Sequence, residues 1–170
     1  MLSAWGGGSD AELERALTRL RYEGKVSFRR NVHDTLNVLR RLDGHAHEHT
    51  ELQERVIFPY VTRRMPRLGP LTRLFSHEHQ DLRRGIRHLR RALRGLESRG
   101  STAARGQRIA RLFQEGSELA LAMRLHEEGE RAAFLQRAWD HFRPDEKKEF
   151  LDRVGSWLII KKHAAPVRGA

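Results

Sequence analysis

Apolar residues recur at three- and four-residue intervals along nearly the whole chain, the period of helices that bury one face. Leu13, Ala16, Leu17 and Leu20 open the stripe, just after Ser9 or Asp10, either of which can cap a first helix. The stripe continues through Phe28, Val32, Leu36, Leu39 and Leu42, interrupted only by Gly24, so two places compete for the first turn. One lies near residues 30–34, where Asn31 can cap with Asp34 at N3. The other is Asp43-Gly44, the stronger local turn signal. In either case a helix is predicted over 45–64, ended by the loop Met65-Pro66-Arg67-Leu68-Gly69-Pro70. A third helix covers about 71–97 and closes at Ser98-Arg99-Gly100, and a fourth covers about 103–141. Pro144, Asp145 and Glu146 begin a last helix running to about Lys162, with acidic residues where the helix dipole favours them. Its apolar face, Phe150, Leu151, Val154, Trp157 and Leu158, is expected to lie across the other helices. No segment alternates with period two, so the chain reads as all-α.

Composition narrows the chemistry. A chain of 170 residues, 38% hydrophobic and 32% charged, suffices for one globular domain with its own core. The absence of cysteine excludes disulfides, zinc–thiolate sites and iron–sulfur clusters, and suits a cytoplasmic location. The start MLSAWGGGSD lacks the basic and apolar regions of a signal peptide and reads as a flexible leader over 1–9. No apolar stretch is long enough to span a bilayer, so no membrane partner is expected. The net charge of +11 is mostly arginine, and Arg83, Arg84, Arg87, Arg90, Arg91 and Arg94 interleave with Leu82, Ile86, Leu89 and Leu93. That is the solvated face of an amphipathic helix. No nucleic-acid motif accompanies it, so only weak, non-specific nucleic-acid binding is expected.

Two stretches carry the candidate chemistry: HEHTELQERVIFPY at 47–60 and HEEGERAAFL at 126–135. His126 and Glu130 are four residues apart and share a helix face with Leu119, Met123 and Phe134, so that face should point inward. A buried histidine–glutamate pair without a compensating cation is costly. In the first stretch His49 is four residues from Gln53 and five from Glu54, with His47 as a reserve ligand. Between the two lies SHEHQDL, from which either His77 or His79 can point inward, and His79 is the candidate. Imidazole and carboxylate together are ligands for iron, manganese or zinc. A histidine–carboxylate motif in two copies suits a dinuclear centre in a four-helix bundle.

With ERVIFPYV at 54–61 after His49, EHQDLRRGIRHL at 78–89, and His126 to Glu130 followed by FLQRAWDHFRPDEKKEF, the chain resembles hemerythrin-like proteins of the HHE cation-binding type over about 10–150. The resemblance implies an up-down four-helix bundle over 10–142, with residues 143–170 forming an extra C-terminal helix and tail packed on it. It also implies a non-haem di-iron centre, with manganese or zinc as substitutes for one or both ions. The family pattern is a histidine on the first helix, His-x-x-x-Glu on the second, a histidine on the third and His-x-x-x-Glu on the fourth. Carried over, the ligands are His49 with Glu54 as the bridging carboxylate, His79, and His126 with Glu130. Gln53 stands where the pattern has glutamate. His33 is the first-helix candidate: it is a ligand if the chain turns at Asp43-Gly44, and lies outside the site if the turn is near Asn31. That second turn leaves the first helix only carboxylates such as Glu12, Glu14 or Glu23. The function implied is binding or sensing of O2, NO or peroxide, or iron handling. The alternatives are a basic helical interaction module with a degenerate metal site, and a di-iron oxygenase acting on an organic substrate.

Overall fold

The computed structural model describes residues 9–22, 27–97 and 102–164. Every regular element among them is helical: α1 (Ser9–Tyr22), α2 (Phe28–Leu52), α3 (Phe58–Arg64), α4 (Gly69–Arg94), α5 (Thr102–Gly129), α6 (Gln136–His141) and α7 (Pro144–Ala164). A π-helical stretch, Gln53–Ile57, joins α2 to α3, and another, Glu130–Leu135, joins α5 to α6. Each of these runs is therefore one long helix with a widened turn in it. α1 packs against α2 and α5, and α4 against the same two, which closes an up-down bundle. Residues 1–8 of the expected leader lie outside the described residues.

The first connection corrects the sequence reading. α1 stops at Tyr22 and α2 begins at Phe28, so both expected turns, at Asn31 and at Asp43-Gly44, lie inside α2. Gly24 falls in residues 23–26, outside the described residues. An exposed glycine inside a helix costs about 1 kcal/mol relative to alanine. That is less than Leu39, Leu42 and Ala46, all buried on the same helix, contribute by packing. Asp43 is further held by an ion pair to Arg90 of α4. Asn31 is buried rather than capping a helix start, and its side-chain amide donates to the Arg19 carbonyl of α1.

α1 and α5 approach closely where Gly116 faces Leu17. A Cβ on Gly116 would lie 2.2 Å from Leu17 Cδ1, so a larger residue there forces the buried Leu17 side chain to shift. α1 carries no histidine, and its carboxylates are engaged at the surface: Glu12 pairs with Arg41, and Glu14 with Arg124. Glu23 lies outside the described residues.

α7 runs antiparallel along the α2–α3 run rather than across the bundle. Arg64 pairs with Glu146 and Glu149 near the start of α7, and Glu51 pairs with Lys161 near its end. The Tyr60 hydroxyl donates to the Glu146 carbonyl at 2.6 Å. Phe150 and Val154 are buried there, whereas Leu151 and Leu158, expected on the apolar face, are exposed.

The core has two apolar parts. Leu13, Leu17, Leu39, Ile86, Leu93 and Leu112 fill one end; Ile57, Phe58, Phe75, Phe134, Phe142 and Phe150 fill the other. The boundary between them is polar. On α2 His49 falls between Ala46 and Leu52, on α4 His79 falls between Phe75 and Leu82, and on α5 His126 follows Met123. Three helices thus place a buried histidine at one level of the bundle.

Candidate metal centre

At that level His49, His79, His126 and Glu130 bring four ligand atoms within 4.8 Å of one another, and all four residues are buried. Glu130 is the hub. Its Oε2 lies 3.1 Å from His49 Nε2, and its Oε1 lies 3.2 Å from His79 Nε2 and 3.3 Å from His126 Nε2. Burial opposes ionisation of Glu130, but hydrogen bonds from His126, His49 and His79 outweigh it and hold the carboxyl well below the usual carboxylate range. For His126, burial likewise disfavours the charge, while Glu130 and Glu78 outweigh it and raise the imidazole pKa.

The far sides of two imidazoles are also engaged. His79 Nδ1 lies 3.1 Å from Glu54 Oε1, and His126 Nδ1 lies 2.7 Å from Glu78 Oε2. An ionised carboxylate only accepts, so each Nδ1 is the donor, and a neutral ring then presents a bare Nε2 lone pair to Glu130. Lone pair would face lone pair unless the ring is protonated or a cation lies between. A carboxylate behind a histidine whose other nitrogen faces inward is the usual outer support of a metal-ligating imidazole. The donor set therefore fits a metal ion on observations of the protein itself.

Rings complete the walls. Phe58 stacks on His79 with centroids 6.0 Å apart, and Phe75 meets His126 edge-on at 5.7 Å. The two π-helical stretches flank the site, each starting one helical turn after a ligand histidine. In the first, the Phe58 N–H bonds to the Gln53 carbonyl five residues back. Pro59 has no N–H and its ring would crowd the Arg55 carbonyl in a regular α-turn, so widening the turn accommodates it. In the second, the Gln136 N–H reaches the Arg131 carbonyl in the same way. A cavity of about 20 Å³ lies between the stretches, bordered by His49, Gln53 and Glu130, walled by Leu52, Ile57 and Leu135, and flanked by the charged side chains of Glu127 and Arg131. It holds one water-sized group.

The family known as the hemerythrin HHE cation-binding domain matches residues 10–150. The chain belongs to that family. No curated protein and no solved structure matches the chain. Among hemerythrin HHE domains the expected pattern is two histidine–glutamate pairs with further histidines, and here the residues converge on one cluster. Of the sequence candidates, His49, His79, His126 and Glu130 are brought into one cluster.

Glu54 and His33 do not join the ligand cluster. Glu54 does not bridge: its side chain is 38% exposed and stands behind His79 on Nδ1. It sits one residue past the inward-facing position, which Gln53 occupies, 2% exposed. His33 has its side chain 73% exposed and is within hydrogen-bond distance of Asn37. It shares α2 with His49 and lies 16 residues away, about 24 Å along the axis. His45, His47 and His77 are also exposed. Sequence reasoning missed Glu78 and passed over Gln53. The signal for Gln53 was present in the matched spacing His49-x-x-x-Gln53 and His126-x-x-x-Glu130. Nothing in the sequence marked Glu78, whose partner His126 is 48 residues away.

The hemerythrin HHE domain binds cations by description, and this member contains a buried cluster of three histidines and a glutamate able to chelate one. No helix among the described residues is long and apolar enough to cross a membrane.

Proposed function

We propose that this protein is a single-ion, non-haem metal protein of the hemerythrin fold. His49, His79, His126 and Glu130 would hold the ion, and a small molecule such as O2, NO or peroxide would reach it through the cavity between the π-helical stretches. The observation that carries this reading is the aim of His79 and His126: carboxylates hold Nδ1 of each ring while both Nε2 atoms face the same oxygen of Glu130. A cation resolves that conflict.

One ion rather than two follows from what stands in the second half of the family pattern. The sequence has no histidine before His33, so the first helix supplies none. Gln53 replaces the second carboxylate and donates its amide to Glu130 at 2.7 Å. Two carboxylates side by side need a cation or a shared proton between them; an amide and a carboxylate satisfy each other with neither. Imidazole and carboxylate donors suit iron, manganese and zinc, and iron is the ion proposed. When bound, it supplies an open coordination position for a small ligand. The chain's own residues exclude bulk water, keep the imidazoles oriented and hold Glu130 ionised. A cytoplasmic location belongs to the same reading, on the cysteine-free composition.

The test is anaerobic titration of the ferrous protein with nitric oxide, followed by visible absorption and electron paramagnetic resonance. An iron-nitrosyl signal that saturates at one NO per iron is expected. Iron bound at the site with no nitrosyl signal would contradict an open position.

A further inference from the structure

Gln53 has a polar atom that the metal ligands do not explain. Its amide nitrogen is committed to Glu130 Oε2, and this fixes the orientation of the group, because the carboxylate can only accept. Its Oε1 is buried, with no hydrogen-bond partner among the described residues. A buried acceptor without a donor costs about 1–3 kcal/mol. Gln53 also lines the water-sized cavity beside His49 and Glu130. The other walls are Leu52, Ile57, Leu135, Glu127 and Arg131, and among the described residues none of these side chains hydrogen-bonds to Oε1.

We propose that Gln53 is the specificity-determining residue of this cavity: its Oε1 accepts a hydrogen bond from a protic ligand of one heavy atom, of the class hydroxide or water. The inference rests on the single-ion reading above. A ligand carrying hydrogen satisfies Oε1; fluoride turns a lone pair toward it. The glutamine thus does two things: its nitrogen replaces the second cation beside Glu130, and its oxygen sorts what enters.

The probe is the Co(II)-loaded protein, whose visible spectrum reports both fluoride, added at fixed pH, and hydroxide, formed as pH rises. The two are monoanions of similar size, and only hydroxide donates. The wild-type preference for hydroxide over fluoride is expected to exceed that of the aqueous Co(II) ion. Gln53→Met, similar in length but without an acceptor, should reduce the preference about tenfold, the worth of one hydrogen bond. A wild-type preference no greater than that of the aqueous ion, or an unchanged ratio in Gln53→Met, would overturn the role of Gln53 and leave the single-ion reading standing. Failure of the folded wild type to take up Co(II) would overturn both.

Discussion

Gln53 donates its side-chain amide to Glu130 across the bundle at 2.7 Å. These residues are the fourth-position partners of His49 and His126, so a hydrogen bond joins the two halves of the site. A neutral amide against an ionised carboxylate is stable without a cation; two carboxylates there are not.

Gln53→Glu should therefore destabilise the metal-free protein. It removes a hydrogen bond to a charged group, worth about 1.5–3 kcal/mol, and places a second buried charge beside the first. At about 2–4 °C per kcal/mol for a chain of this size, the melting temperature of chelator-treated protein should fall by roughly 3–12 °C. Added metal should restore more of it in the variant than it adds to wild type. A variant as stable as wild type without metal would show that the contact contributes nothing.

The ligand histidines should separate cleanly from the decoys. His79→Ala and His126→Ala should abolish metal binding, whereas His33→Ala and His77→Ala should leave it within experimental error of wild type. Inductively coupled plasma analysis of the purified variants reads this directly. Because ligands from three helices converge only in the folded chain, saturating metal should also raise the wild-type melting temperature. At about 100 times Kd the gain is about 2.7 kcal/mol, and the two ligand variants should lose it.

Glu54 and Glu78 orient ligands without touching the ion, so Glu54→Gln and Glu78→Gln should weaken metal affinity by about tenfold and leave the stoichiometry unchanged. Competition with a chromogenic chelator gives the affinity. Complete loss of metal in Glu54→Gln would restore it to the ligand set.

Stability of the metal-free protein should depend on pH from both sides. Glu130 has its folded pKa depressed from an ordinary 4.5, so its contribution is present above that value and is lost as pH falls through the folded pKa. His126 has its folded pKa raised from 6.5, so its contribution is complete below 6.5 and is lost as pH rises through the folded value. Metal-free protein should be most stable between about pH 4.5 and 6.5. Metal displaces the ring proton, so the loaded protein should hold its melting temperature above that window. Parallel decline of both forms with rising pH, in thermal melts from pH 5 to about 8, would contradict the assignment.

The helices were legible because their stripes are long and periodic: Leu82, Ile86, Leu89 and Leu93 on α4 are all buried, as spaced. His79, His126 and Glu130 were legible for the same reason, each lying on an inward stripe. The first turn was not. Asp43-Gly44 has strong local turn chemistry, and the packing of Leu39, Leu42 and Ala46 overrode it. His33 depended on that turn and went with it. Glu54 was preferred over Gln53 on charge, but helical periodicity puts the residue four after His49 inward, and the π-helical widening begins only at that residue. Glu78 could not be read because its role depends on a contact between two helices far apart in sequence. The path of α7 was hidden too, since Leu151 and Leu158 extend its apolar pattern beyond what the bundle covers.

We propose that this hemerythrin HHE domain binds one ion where the family pattern provides for two. Metal content per chain measures it most directly: protein purified without chelator, loaded anaerobically with ferrous iron, desalted and analysed for iron and protein. One ion per folded chain, lost in His126→Ala, is the predicted result. Two ions per chain, or none with the helical fold intact, would contradict it.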